Sequence, residues 1–119
     1  MSGAGYQILL ECRRRSRILR AHGFTVDQIA VVFSLDHDVS PLRLYRYAAG
    51  LTAAQVAAAF NDLDPSGAAS LRESRLYDYE AWPVAGRRPP VWVLTLLARI
   101  YGTHPDRLIP DGARADHPK

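Results

Sequence analysis

Two stretches of the sequence, residues 21–33 and 48–60, follow one pattern that sets helix boundaries. They read AHGFTVDQIAVVF and AAGLTAAQVAAAF, and they match at Ala, Gly, Thr, Gln, Ala and Phe with an offset of 27 residues. Glycine commonly ends an α-helix, and threonine commonly caps the start of the next one. Each copy therefore predicts a glycine stop followed by a capped amphipathic helix. The match is either an internal duplication or the shared signal of any two capped helices.

Helical spacing of apolar residues continues along the chain, and no segment alternates with period two for long enough to form a strand. Helices are predicted at 6–20, from Thr25, from Ser40-Pro41 to Gly50, from Thr52, at 70–80 and at 91–101, with a last turn at 105–108. Residues 61–69 are expected to form a loop, and 111–119 a flexible tail. We predict an all-α fold, a compact bundle of about six to seven short helices.

Composition narrows the class of protein. A chain of 119 residues that is 48% hydrophobic can bury the core of one domain. It contains no apolar run long enough to span a membrane, and at the N-terminus its apolar run precedes its basic run, which is the wrong order for a secretory signal. The single cysteine, Cys12, excludes an internal disulfide and fits a cytoplasmic protein. We expect this cysteine to fill the core.

Residues 70–90, SLRESRLYDYEAWPVAGRRPP, contain the most informative motif. Ser70 and Glu73 have the spacing of a capping box, which predicts that a helix starts at Ser70. The same spacing places Leu71, Leu76 and Tyr79 on one apolar face. The helix should end at Trp82-Pro83, since a residue before proline is pushed out of the helical region. Its other face is polar, and a basic loop, 84–90, follows.

Residues 42–108 resemble the phage-repressor (XRE, Cro-type) helix-turn-helix family. The similar pieces, in the family's order, are LRLYRYAAGLT (42–52), AQVAAAF (54–60), SRLYDYE (74–80), RRPP (87–90) and VLTLLARIYGTHPDRLI (93–109). The stretch YEAWPVAGRRPP is similar to actinobacterial members. The chain departs from the family pattern in a longer loop at 63–71, at Arg72, Glu73 and Tyr77, and in an insertion at 81–86. The resemblance implies a helix-turn-helix domain at 39–110 with an N-terminal helical extension at 1–38.

A helix-turn-helix protein of this type would read the DNA major groove with helix 70–80. The base-reading residues would be Arg72, Glu73, Ser74, Arg75 and Asp78, since arginine can grip guanine and a carboxylate can accept from cytosine. The phosphate contacts would come from the start of the helix capped by Thr52 and from basic side chains, namely Thr52, Ala53, Arg43, Arg87 and Arg88. The alternative is that Arg75 pairs with Asp78 on a solvated helix.

The family also implies a structural ion pair between Arg46 and Glu80, with exposure of both side chains as the alternative. The surplus charge lies elsewhere, because residues 1–50 carry seven arginines against four acidic residues and 51–119 are balanced. The arginines Arg13, Arg14 and Arg17 either follow a DNA backbone or form the solvated face of a helix.

We expect a DNA-binding regulator that is cytoplasmic and nucleoid-associated, and homodimeric because two-fold operators are the general solution. The alternatives are a protein-interaction module, such as an antitoxin or co-regulator, and a sequence-tolerant architectural DNA binder. No enzyme, cofactor or metal is expected, since adjacent side chains in Asp36-His37-Asp38 point in different directions and nothing distant completes a metal shell. Trp82 and Trp92 are expected to seal the core, with a ligand pocket as the alternative.

Overall fold

The structure, a computed structural model, describes residues 3–68 and 70–110, and its regular structure is entirely helical. The elements are α1 (Gly3–Ala21), α2 (Val26–Ser34), α3 (Pro41–Ala49), α4 (Ala53–Leu63), α5 (Glu73–Ala81), α6 (Val91–Tyr101) and a 3₁₀ turn (Pro105–Leu108). No strand occurs in these residues, so the prediction of a compact all-α bundle is confirmed. The flexible tail predicted at 111–119 lies outside the described residues.

The repeated sequence pattern gives two helix starts of the same geometry. Thr25 and Thr52 each accept a hydrogen bond from the backbone of the glutamine three residues on, and that glutamine's side chain accepts one in return. Gly23 and Gly50, which precede these caps, both have positive φ values, of 90° and 72°. Glycine adopts this conformation without the steric cost that a Cβ imposes. The local signals therefore account for both helix boundaries.

Outside α5, two helix ends differ from the prediction. α1 begins at Gly3 instead of residue 6. α4 continues to Leu63. The loop that follows therefore begins after Leu63 and not at the predicted residue 61. Asp64 ends α4 in an extended conformation, because the next residue, Pro65, excludes it from the helical region.

Helix α3 lies at the centre of the bundle. It contacts α1, α2, α5, α6 and the 3₁₀ turn, whereas α4 packs against α5 and α6. The core is filled by side chains from every helix, with Cys12, Phe33, Leu42, Phe60, Leu76 and Leu97 among those fully buried. Burial raises the pKa of the Cys12 thiol, which is consistent with the predicted role as core filler.

None of the helices in the described segments combines the length and hydropathy that a membrane span requires.

A buried ion pair joins α3 to α5. Arg46 donates from Nε to Glu80 Oε2 at 2.6 Å and from Nη2 to Oε1 at 3.0 Å, and both side chains are buried. The Nε of Arg43 adds a third contact to Oε1 at 3.1 Å. Burial disfavours the charge on Arg46, but Glu80 outweighs that effect and raises the pKa of Arg46. The Arg46–Glu80 pair implied by the family resemblance is therefore present in the structure.

A second polar contact connects α2, α3 and the turn after α6. The carboxylate of Asp27 accepts hydrogen bonds from the hydroxyls of Tyr45, at 2.7 Å, and Thr103. Burial opposes ionisation of Asp27, but the two hydroxyls and the charge of Arg107 outweigh it and lower the pKa of this carboxyl. Burial and Asp27 together raise the pKa of Tyr45 to about 12. This contact ties the N-terminal pair of helices to the rest of the chain.

Glu80→Gln should lower the free energy of unfolding by about 3–5 kcal/mol, because it leaves the buried guanidinium of Arg46 without its countercharge. Urea denaturation followed by circular dichroism measures this loss. The control is Asp36→Asn, which breaks the partly exposed pair of Asp36 with Arg15 and should cost ~1 kcal/mol or less. Equal losses in the two variants would contradict a structural role for the Arg46–Glu80 pair.

Asp27 should also make stability depend on pH. Its folded pKa lies below the ordinary carboxyl value of 3.8, so its contribution is complete above that value. The contribution is lost as the pH falls through the folded pKa. Asp27→Asn should therefore be less stable than the wild type at neutral pH and should approach it below pH 3.8, measured as urea midpoints across the acid range. A stability difference that does not change with pH would rule this out.

Candidate nucleic-acid interface

The polar face of α5 is presented to solvent because its other face is anchored in the core. Leu76, Tyr79 and Glu80 are buried, and the spacing of three and four residues puts them on one side of the helix. The side chains predicted to read bases lie on the opposite side and around the helix start. Four of them are exposed and Asp78 is partly exposed; the set is Arg72, Glu73, Ser74, Arg75 and Asp78.

The start of α5 differs from the prediction, because the helix begins at Glu73 and no Ser70–Glu73 capping box forms. Arg72 is the N-cap residue and makes no side-chain cap. The hydroxyl of Ser70 instead donates to Asp64 Oδ2 at 3.4 Å. Leu71 is buried but precedes the helix, so it does not share a helical face with Leu76.

The loop between α4 and α5 is held by side chains from the end of α4. The amide of Asn61 makes two 3.0 Å hydrogen bonds to the backbone of Leu71, one to its N–H and one to its carbonyl. Asp64 accepts from the backbone N–H of Ser66 at 3.0 Å and from its hydroxyl at 2.8 Å. The backbone bond and then the hydroxyl bonds lower the pKa of Asp64. These bonds hold Leu71 outside the helix, and α5 starts only after the extended residue Arg72.

The loop 84–90 lies against the exposed side of α5. Gly86 has a φ of 71°, and a Cβ there would lie 2.0 Å from the carbonyl oxygen of Asp78. This close approach lets the backbone N–H of Arg87 donate to the same oxygen at 3.3 Å. The guanidinium of Arg87 also approaches Asp78 Oδ2 at 3.5 Å. Asp78 thus pairs with Arg87, and the alternative pairing of Arg75 with Asp78 is wrong.

The second arginine of the loop has a different neighbour. The guanidinium carbon of Arg88 lies 5.1 Å from the ring centroid of Trp82, which is a cation–π distance. Trp82 is the residue that ends α5. The loop therefore carries two arginines that are fixed at one end of the polar face of α5 and remain exposed.

The start of α4 supplies backbone donors. The capping box occupies the N–H groups of Thr52 and Gln55. The N–H groups of residues 53 and 54 have no acceptor within the helix, because they belong to its first turn. Ala53 is buried, whereas Ala54 is exposed. The backbone N–H of Ala54 therefore joins Thr52 and Ala53 as a candidate phosphate contact.

Arg43 does not stand free as a phosphate ligand. Its Nε contacts Glu80 at 3.1 Å and its side chain is 34% exposed. A guanidinium engaged with a buried carboxylate is oriented by that carboxylate. The predicted phosphate contact of Arg43 is therefore replaced by a contact that positions the end of α5.

Three arginines of α1 lie beside the end of α3. Arg20 donates to the carbonyl oxygen of Ala48 at 3.2 Å, beside Ser16, which donates to the same oxygen at 2.6 Å. The side chain of Arg13 lies against Gly50, 3.6 Å from the position of a Cβ there. Arg13, Arg17 and Arg20 thus line a small cleft at the end of α3, two residues before the N-cap of α4. Arg14 and Arg17 are exposed.

Polar contacts join α1 to the Asp36-His37-Asp38 loop that follows α2. Asp36 pairs with Arg15 at 3.2 Å, and His37 Nε2 lies 3.6 Å from the sulfur of Cys12. No group of three or more metal-ligating side chains occurs in residues 3–68 and 70–110. These polar side chains are accounted for by contacts that join α1 to the loop after α2.

Sequence reasoning missed one surface, at the start of α6. Trp92 is 51% exposed and Val91 is 76% exposed, so Trp92 does not seal the core as predicted. Trp82 is partly buried against the core, whereas Trp92 contacts the core ring of Phe60 and is otherwise about half exposed. A signal was available, because Val91 and Trp92 lie off the apolar stripe formed by Val93, Leu94 and Leu97.

The elements described above bring together the polar face of α5 and the arginines of loop 84–90. Arg13, Arg17 and Arg20 of α1 lie instead at the end of α3, two residues before the N-cap of α4, and the first half of α1 reaches Tyr77 of α5 across a cleft of about 330 Å³. No protein-family model, curated protein or solved structure matches this chain. The function proposed below therefore follows from the geometry and from the sequence resemblance.

Gly86→Ala should displace loop 84–90, because its Cβ would collide with the backbone of Asp78. Gly67→Ala is the matched control, since Gly67 has a similar φ of 66° but open space around its Cβ position. The backbone strain common to both should cost ~1–3 kcal/mol, and Gly86→Ala should cost more. Thermal denaturation of the two variants measures the difference. Equal losses would show that the loop accepts the added methyl group.

Proposed function

We propose that this chain is a DNA-binding transcriptional regulator of the phage-repressor helix-turn-helix type. The observation that supports the proposal best is the polar, exposed face of α5 beside the arginines of loop 84–90. A helix of this kind fits the major groove, where its side chains meet base edges. In this proposal α4 and α5 are the two helices of the motif, and the function is binding, without catalysis.

Base contacts are assigned to the start of α5. Arg72 and Arg75 are exposed and take part in none of the ion pairs in the described part of the chain. Each can donate two hydrogen bonds to guanine, and Glu73 can accept from cytosine. Ser74 can serve either base edge. Asp78 is assigned mainly to holding Arg87, because its carboxylate already faces that guanidinium.

Phosphate contacts are assigned to two places on either side of α5. The first is loop 84–90, where Arg88 is held by Trp82 and Arg87 by Asp78. The second is the first turn of α4, where backbone donors and the helix dipole favour an anion. The cleft formed by Arg13 and Arg17 lies close to this turn through Gly50. A backbone that passes the start of α4 would therefore also meet the basic side of α1.

This arrangement explains how the surplus charge of the first half of the chain could serve DNA binding. α1 would supply affinity through phosphates, and α5 would supply sequence discrimination. Each phosphate that is neutralised adds ~0.9 to the slope of log K against log salt. The proposal places the protein with the nucleoid in the cytoplasm and expects it to bind a two-fold site as a homodimer.

The test is selection of binding sites from a random duplex pool, followed by titration at two salt concentrations. Arg75→Ala should cost ~1–3 kcal/mol on the selected site and relax the preference at one base position. Arg88→Ala should weaken binding to all sequences equally and lower the salt slope by ~1. Arg17→Ala should act like Arg88→Ala if α1 contacts the backbone.

Arg107→Ala is the matched control, because it removes an exposed arginine from the 3₁₀ turn, outside the proposed surface. It should change neither the base preference nor the salt slope. Failure of the wild-type protein to bind duplex DNA even at low salt would reject the proposal. A steep salt slope without base preference would instead indicate an architectural, sequence-tolerant binder.

A protein-interaction module that keeps this fold without DNA binding is the second candidate. The ion pairs of Arg43 with Glu80 and of Arg87 with Asp78 favour it, since each occupies an arginine predicted to contact phosphate. In that case the exposed face of α5 would bind a protein partner, as in an antitoxin or co-regulator. Rejection of DNA binding at low salt separates this candidate from the first.

A further inference from the structure

Helix α6 has one exposed stripe, and the stripe has an unusual composition. Its members are Val91, Trp92, Thr95 and Arg99, whereas most other positions of the helix are buried. Spacings of three and four residues keep these side chains on one side of the helix. The stripe therefore begins with an exposed apolar pair and ends with a cation that belongs to none of the ion pairs in the described residues.

The apolar end of the stripe rests on the core. The ring of Trp92 packs against the buried ring of Phe60, with centroids 5.8 Å apart, so its outer face is held in place. Trp92 also lines a groove of about 620 Å³ together with Pro65 and Leu96. An exposed tryptophan whose orientation is already fixed loses little entropy on binding, which is typical of an interface anchor.

The middle of the stripe needs no polar partner. The hydroxyl of Thr95 donates to the carbonyl oxygen of Val91 in its own helix, at 3.0 Å. Its hydrogen-bonding capacity is therefore partly satisfied inside α6, and the residue is small. A second helix can approach closely at this position.

We propose that this stripe of α6 is the interface between two copies of the chain, with the two α6 helices antiparallel and crossing at Thr95. Trp92 lies about 4.5 Å before Thr95 along the helix axis, and Arg99 lies about 6 Å after it. In an antiparallel pair each Trp92 then lies beside the other copy's Arg99. A guanidinium over an indole face is a favourable cation–π contact.

The stripe favours a second copy of the chain as its partner, because it carries both the indole and the guanidinium of this contact. A two-fold interface uses the same patch on each subunit and must complement itself. The other exposed apolar pair of a short helix, Val31 and Leu35 at the end of α2, has no matching cation on its own face. The inference does not depend on DNA binding, since the contact is made by the protein alone.

Cross-linking tests the crossing point directly. Thr95→Cys places a thiol at the two-fold axis, where it meets its own copy, and the native Cys12 is fully buried. Mild oxidation of the full-length protein without DNA should convert Thr95→Cys to a disulfide-linked dimer at low micromolar concentration. Val31→Cys, which places a thiol at another exposed position on α2, should remain monomeric on a non-reducing gel. Cross-linking of Val31→Cys alone would overturn the proposal.

Sedimentation equilibrium tests the contact between Trp92 and Arg99. Trp92→Ala should raise the dimer dissociation constant roughly 30-fold, as expected for an aromatic anchor residue. Arg99→Lys, which keeps the cation, should change the constant less than Arg99→Glu does. Circular dichroism confirms that each variant is folded. A wild-type monomer at 100 μM, or equal constants for Arg99→Lys and Arg99→Glu, would overturn the proposal.

Sedimentation without DNA tests the dimer interface, and duplex titration tests the proposed function, so either proposal can fail while the other holds. A monomer that still binds a selected duplex would reject the dimer interface and leave the proposed function intact. A dimer that binds no duplex would reject the proposed function and leave the interface intact.

Discussion

The buried contact among Arg43, Arg46 and Glu80 is the constraint on which the arrangement of the helices depends. Two charges cannot be removed from water without compensation, so the guanidinium of Arg46 fixes the end of α5 against the middle of α3. Arg46 is further enclosed by the rings of Tyr47 and Tyr77, at 5.4 and 5.8 Å. Tyr101, whose hydroxyl is buried without a hydrogen-bond partner in the described residues, closes the same region from α6. Three elements, α3, α5 and α6, therefore meet around one carboxylate.

Local signals made much of the fold predictable from the sequence. The caps at Thr25, Ser40 and Thr52 act within three residues, so their effect can be read from the letters alone. The start of α5 could not be read in this way, because it depends on bonds from Asn61 and Asp64 across the loop. A capping box is one possible use of Ser70, and the contact with Asp64 prevails over it.

The residues that line the candidate site could be predicted from the sequence better than the ion pairs that they form. The exposed set at 72–75 followed from helical spacing once Leu76 and Tyr79 were assigned to the core. The pairing of Arg87 with Asp78 depends on Gly86, whose close approach to α5 has no signature beyond the glycine itself. Likewise, Arg14 and Arg20 are both exposed on the same helix, and Arg20 also donates to the carbonyl oxygen of Ala48 at the end of α3. A run of arginines does not reveal which members the fold uses.

The exposed side of α5 can change in sequence independently of the buried side. Its buried side holds the helix through Leu76, Tyr79 and Glu80, and residues 72–75 contribute few of those contacts. Substitutions on the exposed side therefore alter chemistry without disturbing the anchor. The same backbone can display many different sets of side chains at constant orientation. Recognition can diverge among chains of this architecture faster than the architecture itself.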